Sequence, residues 1–300
     1  MNNGKFARGW QLTKSSWQVL RLDKELAALP VMGIVATLVT LIGVAVLSLG
    51  GLTAAGFITH GVNSTFSYTA PAWVNFIGAI ILYFVVTLVA NFFAAALIYG
   101  ANQRFTGQDP TIKSSLGGAR RKFYPLAGFS LLMTTVGLAL QAAEERLPFA
   151  GDIAVGLLGA AWSIANIFAI PVIVLSETNV KPLDATKQSV QIIKKVWGEG
   201  MTANFGISII AGLSILAYIA TSLGVGIIGY NLHIPSALGA GIFVVQLIGL
   251  LLMILILTTI SSIAKAALYH FAVTGIAPEL FNSELLRASI TPKKARRIFG

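Results

Sequence analysis

Residues 236–263 read SALGAGIFVVQLIGLLLMILILTTISSI, a run without a single Asp, Glu, Lys or Arg. A helix of roughly 20 apolar residues crosses the hydrocarbon core of a bilayer, which is about 30 Å thick. The run is longer than that, and it lacks the alternation of polar and apolar residues that marks the strands of a membrane β-barrel. It therefore predicts a membrane-spanning α-helix.

Five further runs of the same character lie upstream. None contains a charged residue, and they occupy residues 30–51, 73–99, 124–143, 153–175 and 201–229. The chain of 300 residues is 56% hydrophobic and only 11% charged, whereas a soluble domain carries about 25% charged residues. It has no cysteine, which excludes a disulfide scaffold and a Cys-ligated metal centre. We predict an all-α fold, a polytopic bundle of six transmembrane helices.

The basic residues are distributed unevenly around these six spans. The net charge is +10, and all but one of the 21 Lys and Arg precede span one, separate spans two and three, separate spans four and five, or follow span six. Only Arg146 falls on the opposite side. Because cytoplasmic loops are enriched in Lys and Arg, both termini are predicted to be cytoplasmic, with the protein in a cytoplasmic (inner) membrane. The charge thus indicates orientation rather than nucleic-acid binding.

A basic segment with helical periodicity precedes spans one, three and five. The three segments share the pattern x-Lys-polar-Ser, at residues 13–16 (TKSS), 112–115 (IKSS) and 186–189 (TKQS). Apolar stripes flanked by Lys and Arg are typical of helices in the headgroup region, and packing against the spans is the alternative interpretation. We predict three amphipathic interfacial helices, each followed by a transmembrane hairpin. The expected domains are a cytoplasmic amphipathic segment (1–28), a six-span domain (29–275) and a basic cytoplasmic tail (276–300).

Short stretches over nearly the whole chain have a characteristic sequence. They are residues 16–21 (SWQVLR), 91–97 (NFFAAAL), 144–146 (EER), 159–163 (GAAWS) with Pro171, 197–199 (WGE), 266–269 (AALY) and 274–275 (TG). Together they resemble an uncharacterised prokaryotic family of six-span integral membrane proteins. The layout is also remotely similar to the membrane domain of glycerophosphodiester phosphodiesterases. Their catalytic domain is absent here, so the resemblance implies a fold and a membrane location but no activity.

Motifs for catalysis and metal binding are missing or out of context. Residues 224–229 (GVGIIG) match the glycine pattern of dinucleotide-binding folds, but they lie inside an apolar span and follow no strand, so close helix packing is the interpretation. His60, His233 and His270 lack metal-ligand spacing. We predict no catalytic residue, no metal and no cofactor, and therefore a protein that is not an enzyme.

Uncharged polar residues within the spans leave two interpretations open. An unpaired amide is costly in hydrocarbon, so Asn91, Asn166 and Gln246 should face other helices or a wet cavity. Pro171 removes a backbone hydrogen bond inside span four and is expected to kink it. These four residues either line a polar path or hold helices together. No Asp, Glu, Lys or Arg lies within the spans, which argues against ion-coupled transport.

Surface features predict lipid and protein partners. Basic residues near a membrane attract anionic lipid by about 1 kcal/mol per charge, and those expected to do so are Lys293, Lys294, Arg296, Arg297, Arg120 and Arg121. An outer-face cluster, interpreted as a local salt-bridge cap or as a cation or partner site, comprises Glu144, Glu145 and Arg146. The uncharged outer loop 52–72, or the spans, are expected to contact a protein partner or a second copy of the chain. For the loop, a mobile linker is the alternative interpretation.

These features together predict a scaffold, a subunit or a membrane-organising factor that acts through protein or lipid contacts. Apolar spans without embedded charge favour that prediction. The alternative is a carrier or channel for a small neutral or lipidic solute, with the amides and Pro171 around its path.

Overall fold

The computed structural model of the chain describes residues 5–56, 58–60, 66–146, 149–197, 202–231, 235–281 and 286. These residues are almost entirely α-helical, which confirms the predicted all-α fold. The elements are, in order, α1 (Lys5–Leu22), α2 (Lys24–Ala54), β1 (Ile58–His60), β2 (Phe66–Tyr68), α3 (Ala72–Phe105), α4 (Ile112–Arg121), α5 (Phe123–Glu144), α6 (Phe149–Ala165), α7 (Ala169–Leu175), α8 (Pro182–Trp197), α9 (Thr202–Asn231) and α10 (Ser236–Thr274).

The described residues include six helices that are long and apolar enough to cross a membrane. They are Lys24–Ala54, Ala72–Phe105, Phe123–Glu144, Ile153–Leu175, Ala211–Gly229 and Leu238–Thr274. They follow the order of the six predicted spans and confirm that there are six long apolar helices. Several run past the predicted ends, since α2 begins at Lys24 and α10 continues through Lys265. Lys24 is exposed at the first residue of α2, whereas Lys265 is an internal, half-buried residue of α10.

The segment 52–72, predicted to be an outer loop, contains a pair of short antiparallel strands that the sequence did not predict. Strands β1 and β2 pair with Ile58 opposite Tyr68 and His60 opposite Phe66. Val, Ile, Thr, Tyr and Phe favour strands, and such residues occupy four of the six strand positions. This uncharged segment therefore contains regular secondary structure.

Span four is broken, and the break lies ahead of the proline. Helix α6 ends at Ala165, a turn follows, and α7 begins at Ala169, so Pro171 occupies the first turn of α7. In the first turn of a helix the backbone N–H groups have no partner within the helix, so a proline, which lacks this N–H, is tolerated there. Within a continuous helix its ring would clash with the carbonyl of Ile167. The predicted distortion is therefore a turn at residues 166–168 rather than a kink at Pro171 itself.

Helices occur at all three segments that carry the x-Lys-polar-Ser pattern. The last serine of each copy, Ser16 in α1, Ser115 in α4 and Ser189 in α8, is fully buried. A second pattern, Thr-Gly/Asn-x-x-Pro, follows the second helix of each hairpin, at residues 106–110 (TGQDP), 178–182 (TNVKP) and 274–278 (TGIAP). Gly107 and Gly275 have φ of 77° and 73° there, a backbone conformation that glycine adopts without strain and that commonly ends helices. Both patterns support the threefold repeat.

The chain divides into two compact units. The first comprises Met1–Pro30, Leu97–Ser114 and Gln191–Gly300, and the second comprises Val31–Ala96 and Ser115–Val190. In the first unit, α1 packs against α9 and α10, which also contact each other. In the second unit, α5 packs against α6 and α7.

Candidate functional site

In the second unit, Asn91 joins two long helices. Its Nδ2 atom donates a hydrogen bond to Oγ of Ser130, 2.9 Å away, and this hydroxyl in turn donates to the carbonyl of Leu126 at 2.8 Å. Ser130 is fully buried in α5. Each donor therefore has an acceptor, as polar groups in an apolar surrounding require. The arrangement matches a helix-to-helix contact between α3 and α5.

Asn166 makes a second contact of the same kind in this unit. Its Oδ1 atom accepts a hydrogen bond from Oγ1 of Thr186 at 2.7 Å, and its Nδ2 atom donates to the carbonyl of Trp162 at 2.8 Å. Nearby, Oγ of Ser189 accepts a hydrogen bond from the backbone N–H of Phe168 at 3.0 Å. These bonds fasten α8 to the turn between α6 and α7. Asn91 and Asn166 thus have separate partners. Pro171, which follows Asn166 in sequence, is buried in α7.

In the first unit, Gln246 lies beside a groove between α9 and α10. The groove has a volume of about 640 Å³ and is lined almost entirely by apolar side chains. The hydroxyl of Tyr218 donates to the backbone carbonyl of Gln246 at 2.5 Å, and among the described residues the side-chain amide of Gln246 has no hydrogen bond. Gly226 and Gly229 line this groove, and a Cβ at Gly224 or Gly226 would meet nothing within 4 Å. Among the described residues of this chain, no helix therefore packs closely on Gly224 or Gly226.

A second groove, entirely within the second unit, combines apolar walls with one cation. Its volume is about 540 Å³. The lining comprises Ala36 from α2, Leu88, Val89, Phe92 and Phe93 from α3, Arg120 from α4, and Phe123 and Tyr124 from α5. Arg121 does not line it. We call this space the Arg120 groove.

Arg120, Arg121 and Lys122 form a basic triplet, and Lys122 has a different environment from the two arginines. Nζ of Lys122 donates hydrogen bonds to the carbonyls of Glu177 and Thr178 at 3.2 and 2.8 Å. Lys122 therefore holds the loop that follows α7. Of the two predicted lipid contacts in this triplet, Arg120 lines an apolar groove and Arg121 is exposed outside it.

A charged cluster in the first unit escaped the sequence analysis. Arg104 at the end of α3 forms a two-pronged ion pair with Asp23 and a further ion pair with Asp109. Oε2 of Glu25 accepts a hydrogen bond from the backbone N–H of Ile112 at 2.9 Å, at the first residue of α4. Acidic groups are favourable at helix N-termini. The sequence offered only a weak indication of this cluster, because Asp23 and Glu25 are isolated acidic residues at the end of a basic segment.

The outer-face cluster lacks the salt bridge that one interpretation required. Glu144, Glu145 and Arg146 are exposed, and within the described part of the chain no ion pair joins them. Glu145 instead accepts a hydrogen bond from Nε2 of Gln141 at 3.3 Å. A cation or partner site remains a prediction for these side chains.

Two of the three histidines can be placed. Nδ1 of His270 lies 3.1 Å from Oδ1 of Asn102. The imidazole ring also contacts the ring of Phe105 edge-on. His60 belongs to β1. His233 and the basic residues Lys293, Lys294, Arg296 and Arg297 lie outside the described residues. Within those residues, no group of three His, Asp or Glu side chains forms a candidate metal site.

The fold defines the class of protein, an α-helical chain whose six long apolar helices are those of a multi-pass membrane protein. Residues 74–278 match a family described as a family of unknown function, DUF6159. The match covers more than half of the chain, and the chain belongs to that family. No curated protein and no solved structure was found to match it. Prokaryotic origin and the remote similarity to glycerophosphodiester phosphodiesterase membrane domains stay predictions.

Proposed function

We propose that this protein has no catalytic site and acts in the membrane through protein and lipid contacts, as a scaffold, subunit or membrane-organising factor. The observation that carries the proposal is that two of the three amides considered for a polar path, Asn91 and Asn166, form hydrogen bonds between helical segments. Side chains that hold helices together are not free to coordinate a passing solute. Large exposed apolar side chains such as Leu47 and Phe243 suit lipid or a neighbouring helix.

The proposal includes an orientation. Both termini lie in the cytoplasm of a prokaryotic cell, and α1, α4 and α8 lie in the headgroup region of the cytoplasmic membrane. Its support is the charge distribution together with the exposure of Lys14, Lys113 and Lys187, each two residues before a buried serine. Such a helix presents one face to the protein and a basic face to anionic headgroups.

Reconstitution tests the absence of catalysis and transport. The purified full-length protein in proteoliposomes should show no flux of small neutral solutes above protein-free vesicles, and no hydrolase or transferase activity. Asn91→Ala and Asn166→Ala should lower the stability of the protein and leave these baselines unchanged. Substrate-dependent flux that both variants abolish would establish a carrier, and an activity that copurifies with the wild-type protein would establish an enzyme.

The groove at Gln246 favours one alternative function, a carrier or channel for a small neutral or lipidic solute. It offers apolar walls and one amide without a hydrogen bond among the described residues, a combination that suits a largely apolar ligand with one polar group. The matched variants are Gln246→Leu in the groove and Gln141→Leu on the exposed end of α5. Flux that only Gln246→Leu abolishes would support this alternative, and the absence of flux in the wild-type protein rejects it.

A further inference from the structure

The Arg120 groove combines one cation with apolar walls. Its walls are the side chains of Ala36, Leu88 and Phe92 from helices long enough to cross a membrane, and Arg120 lines the same space. Its volume of about 540 Å³ falls within the range of roughly 300–1,000 Å³ typical of ligand sites. A ligand that fills it must combine an apolar body with an anionic or strongly accepting group.

Arg120 is available to such a group. It is exposed, and among the described residues it has no hydrogen bond or ion pair. A guanidinium group presents a planar array of donors that matches phosphate oxygens in a bidentate fashion. Lys122 is committed to the carbonyls of Glu177 and Thr178, and Arg121 lies outside the groove. Arg120 is therefore the one member of the triplet that joins charge to the apolar space.

The aromatic residues beside Arg120 indicate where the groove lies across the thickness of the membrane. Tyr124 is 86% exposed and Phe123 is 42% exposed, and both line the groove. Tyrosine is enriched where the hydrocarbon core meets the headgroups. The charge distribution assigns this end of α5 to the cytoplasmic side, where anionic lipids give the leaflet a negative surface potential. The charge of Arg120 and the position of Tyr124 at the boundary between hydrocarbon and headgroups both point to a lipid of that leaflet.

We propose that the Arg120 groove binds one anionic glycerophospholipid, with its phosphate on the guanidinium group of Arg120 and an acyl chain along Leu88 and Phe92. The inference rests on the proposed role in lipid contact and gives it one site and one class of ligand. A soluble phosphate would use only Arg120 and leave the apolar walls exposed. A lipid uses both parts of the groove.

The test counts lipids bound to the full-length protein in a neutral detergent by native mass spectrometry. Phosphatidylglycerol is titrated in parallel with phosphatidylcholine of the same acyl chains. We expect one phosphatidylglycerol to bind saturably and phosphatidylcholine to bind about tenfold more weakly, because phosphatidylcholine has the same phosphate but adds a choline cation that Arg120 repels. Equal binding of the two lipids contradicts the proposal.

Three variants locate the site. Arg120→Ala should weaken phosphatidylglycerol binding about tenfold, whereas Arg121→Ala, which removes the same charge outside the groove, should change it by less than about twofold. Ala36→Phe fills the apolar part, keeps Arg120, and should also weaken binding about tenfold. Thermal unfolding of each variant shows whether it folds. If Arg120→Ala does not fold, Ala36→Phe provides the test.

Two results would overturn the inference. Equal losses in Arg120→Ala and Arg121→Ala would show a diffuse basic surface without a groove site. Displacement of the lipid by millimolar inorganic phosphate would show a phosphate site in which the apolar walls have no part. Solute flux or catalysis by the wild-type protein would refute the proposed function, and this titration measures neither, so the two failures are distinguishable.

Discussion

Arg104 and Asp23 form a two-pronged ion pair between residues 81 positions apart. Nε of Arg104 lies 2.5 Å from Oδ2 of Asp23, and Nη2 lies 2.7 Å from Oδ1. Both residues belong to the first unit, and the pair fixes the junction of α1 and α2 to the end of α3. Asp23 is only 8% exposed, and this ion pair compensates the cost of burying its carboxylate.

Asp23→Asn should destabilise the protein by about 2–3 kcal/mol, because it leaves Arg104 half-buried with a weakened partner. Asp109→Asn is the matched control. Asp109 also pairs with Arg104 but is 92% exposed, so its loss should cost less than about 1 kcal/mol. Unfolding in mixed detergent micelles, followed by circular dichroism, measures both. Equal effects of the two substitutions would mean that the burial of Asp23 contributes nothing.

Gly33→Ala should destabilise the contact between α2 and α3. A Cβ at Gly33 would lie 3.1 Å from Cβ and 3.2 Å from Cγ of Phe93. Those atoms are close to the backbone and cannot swing away, so the cost should be about 1–2 kcal/mol. Gly43→Ala in the same helix meets nothing within 4 Å and should be neutral or stabilising by up to about 1 kcal/mol. A neutral Gly33→Ala in the same unfolding assay would show that the two helices separate at no cost.

The three buried serines of the repeat should respond differently to alanine. Oγ of Ser189 accepts a hydrogen bond from the backbone of Phe168, so Ser189→Ala should cost about 1–2 kcal/mol. The hydroxyl groups of Ser16 and Ser115 are buried without a partner in the described part of the chain. Removing a buried hydroxyl that has no partner relieves a desolvation penalty, so Ser16→Ala and Ser115→Ala should be neutral or stabilising. Losses of about 1 kcal/mol at all three positions would reveal partners for Ser16 and Ser115.

The six long helices could be predicted because each is encoded by one uninterrupted apolar run, a local property that needs no knowledge of neighbours. The three short helices were likewise readable from local periodicity. The break in span four lies at residues 166–168 rather than at Pro171 itself. The proline ring would clash with the carbonyl four residues earlier, so the distortion falls in the turn before the proline.

The contacts of the candidate sites could not be predicted in the same way. Asn91 was predicted to face another helix or a wet cavity, but no sequence pattern links it to its partner Ser130, which lies on another helix. Glycines illustrate the limit. Residues 224–229 form a conspicuous glycine motif, and part of it lines an open groove, whereas close approaches occur at isolated glycines such as Gly33 and Gly249. Sequence spacing identifies which residues can approach a neighbour, and only the packing decides which ones do.

The predicted orientation can be read with single cysteines, because the natural chain has none and each introduced thiol is therefore unique. Lys14, Lys113 and Lys187 are exposed on the three repeat helices, and Arg146 is exposed at the other end of span three. With both termini cytoplasmic, a membrane-impermeant maleimide should label Arg146→Cys in intact cells and should label the three Lys→Cys variants only after permeabilisation. Labelling of all three lysine positions in intact cells would invert the orientation. Labelling of Lys113→Cys together with Arg146→Cys, while Lys14→Cys stays protected, would show that one of the six helices does not cross the membrane.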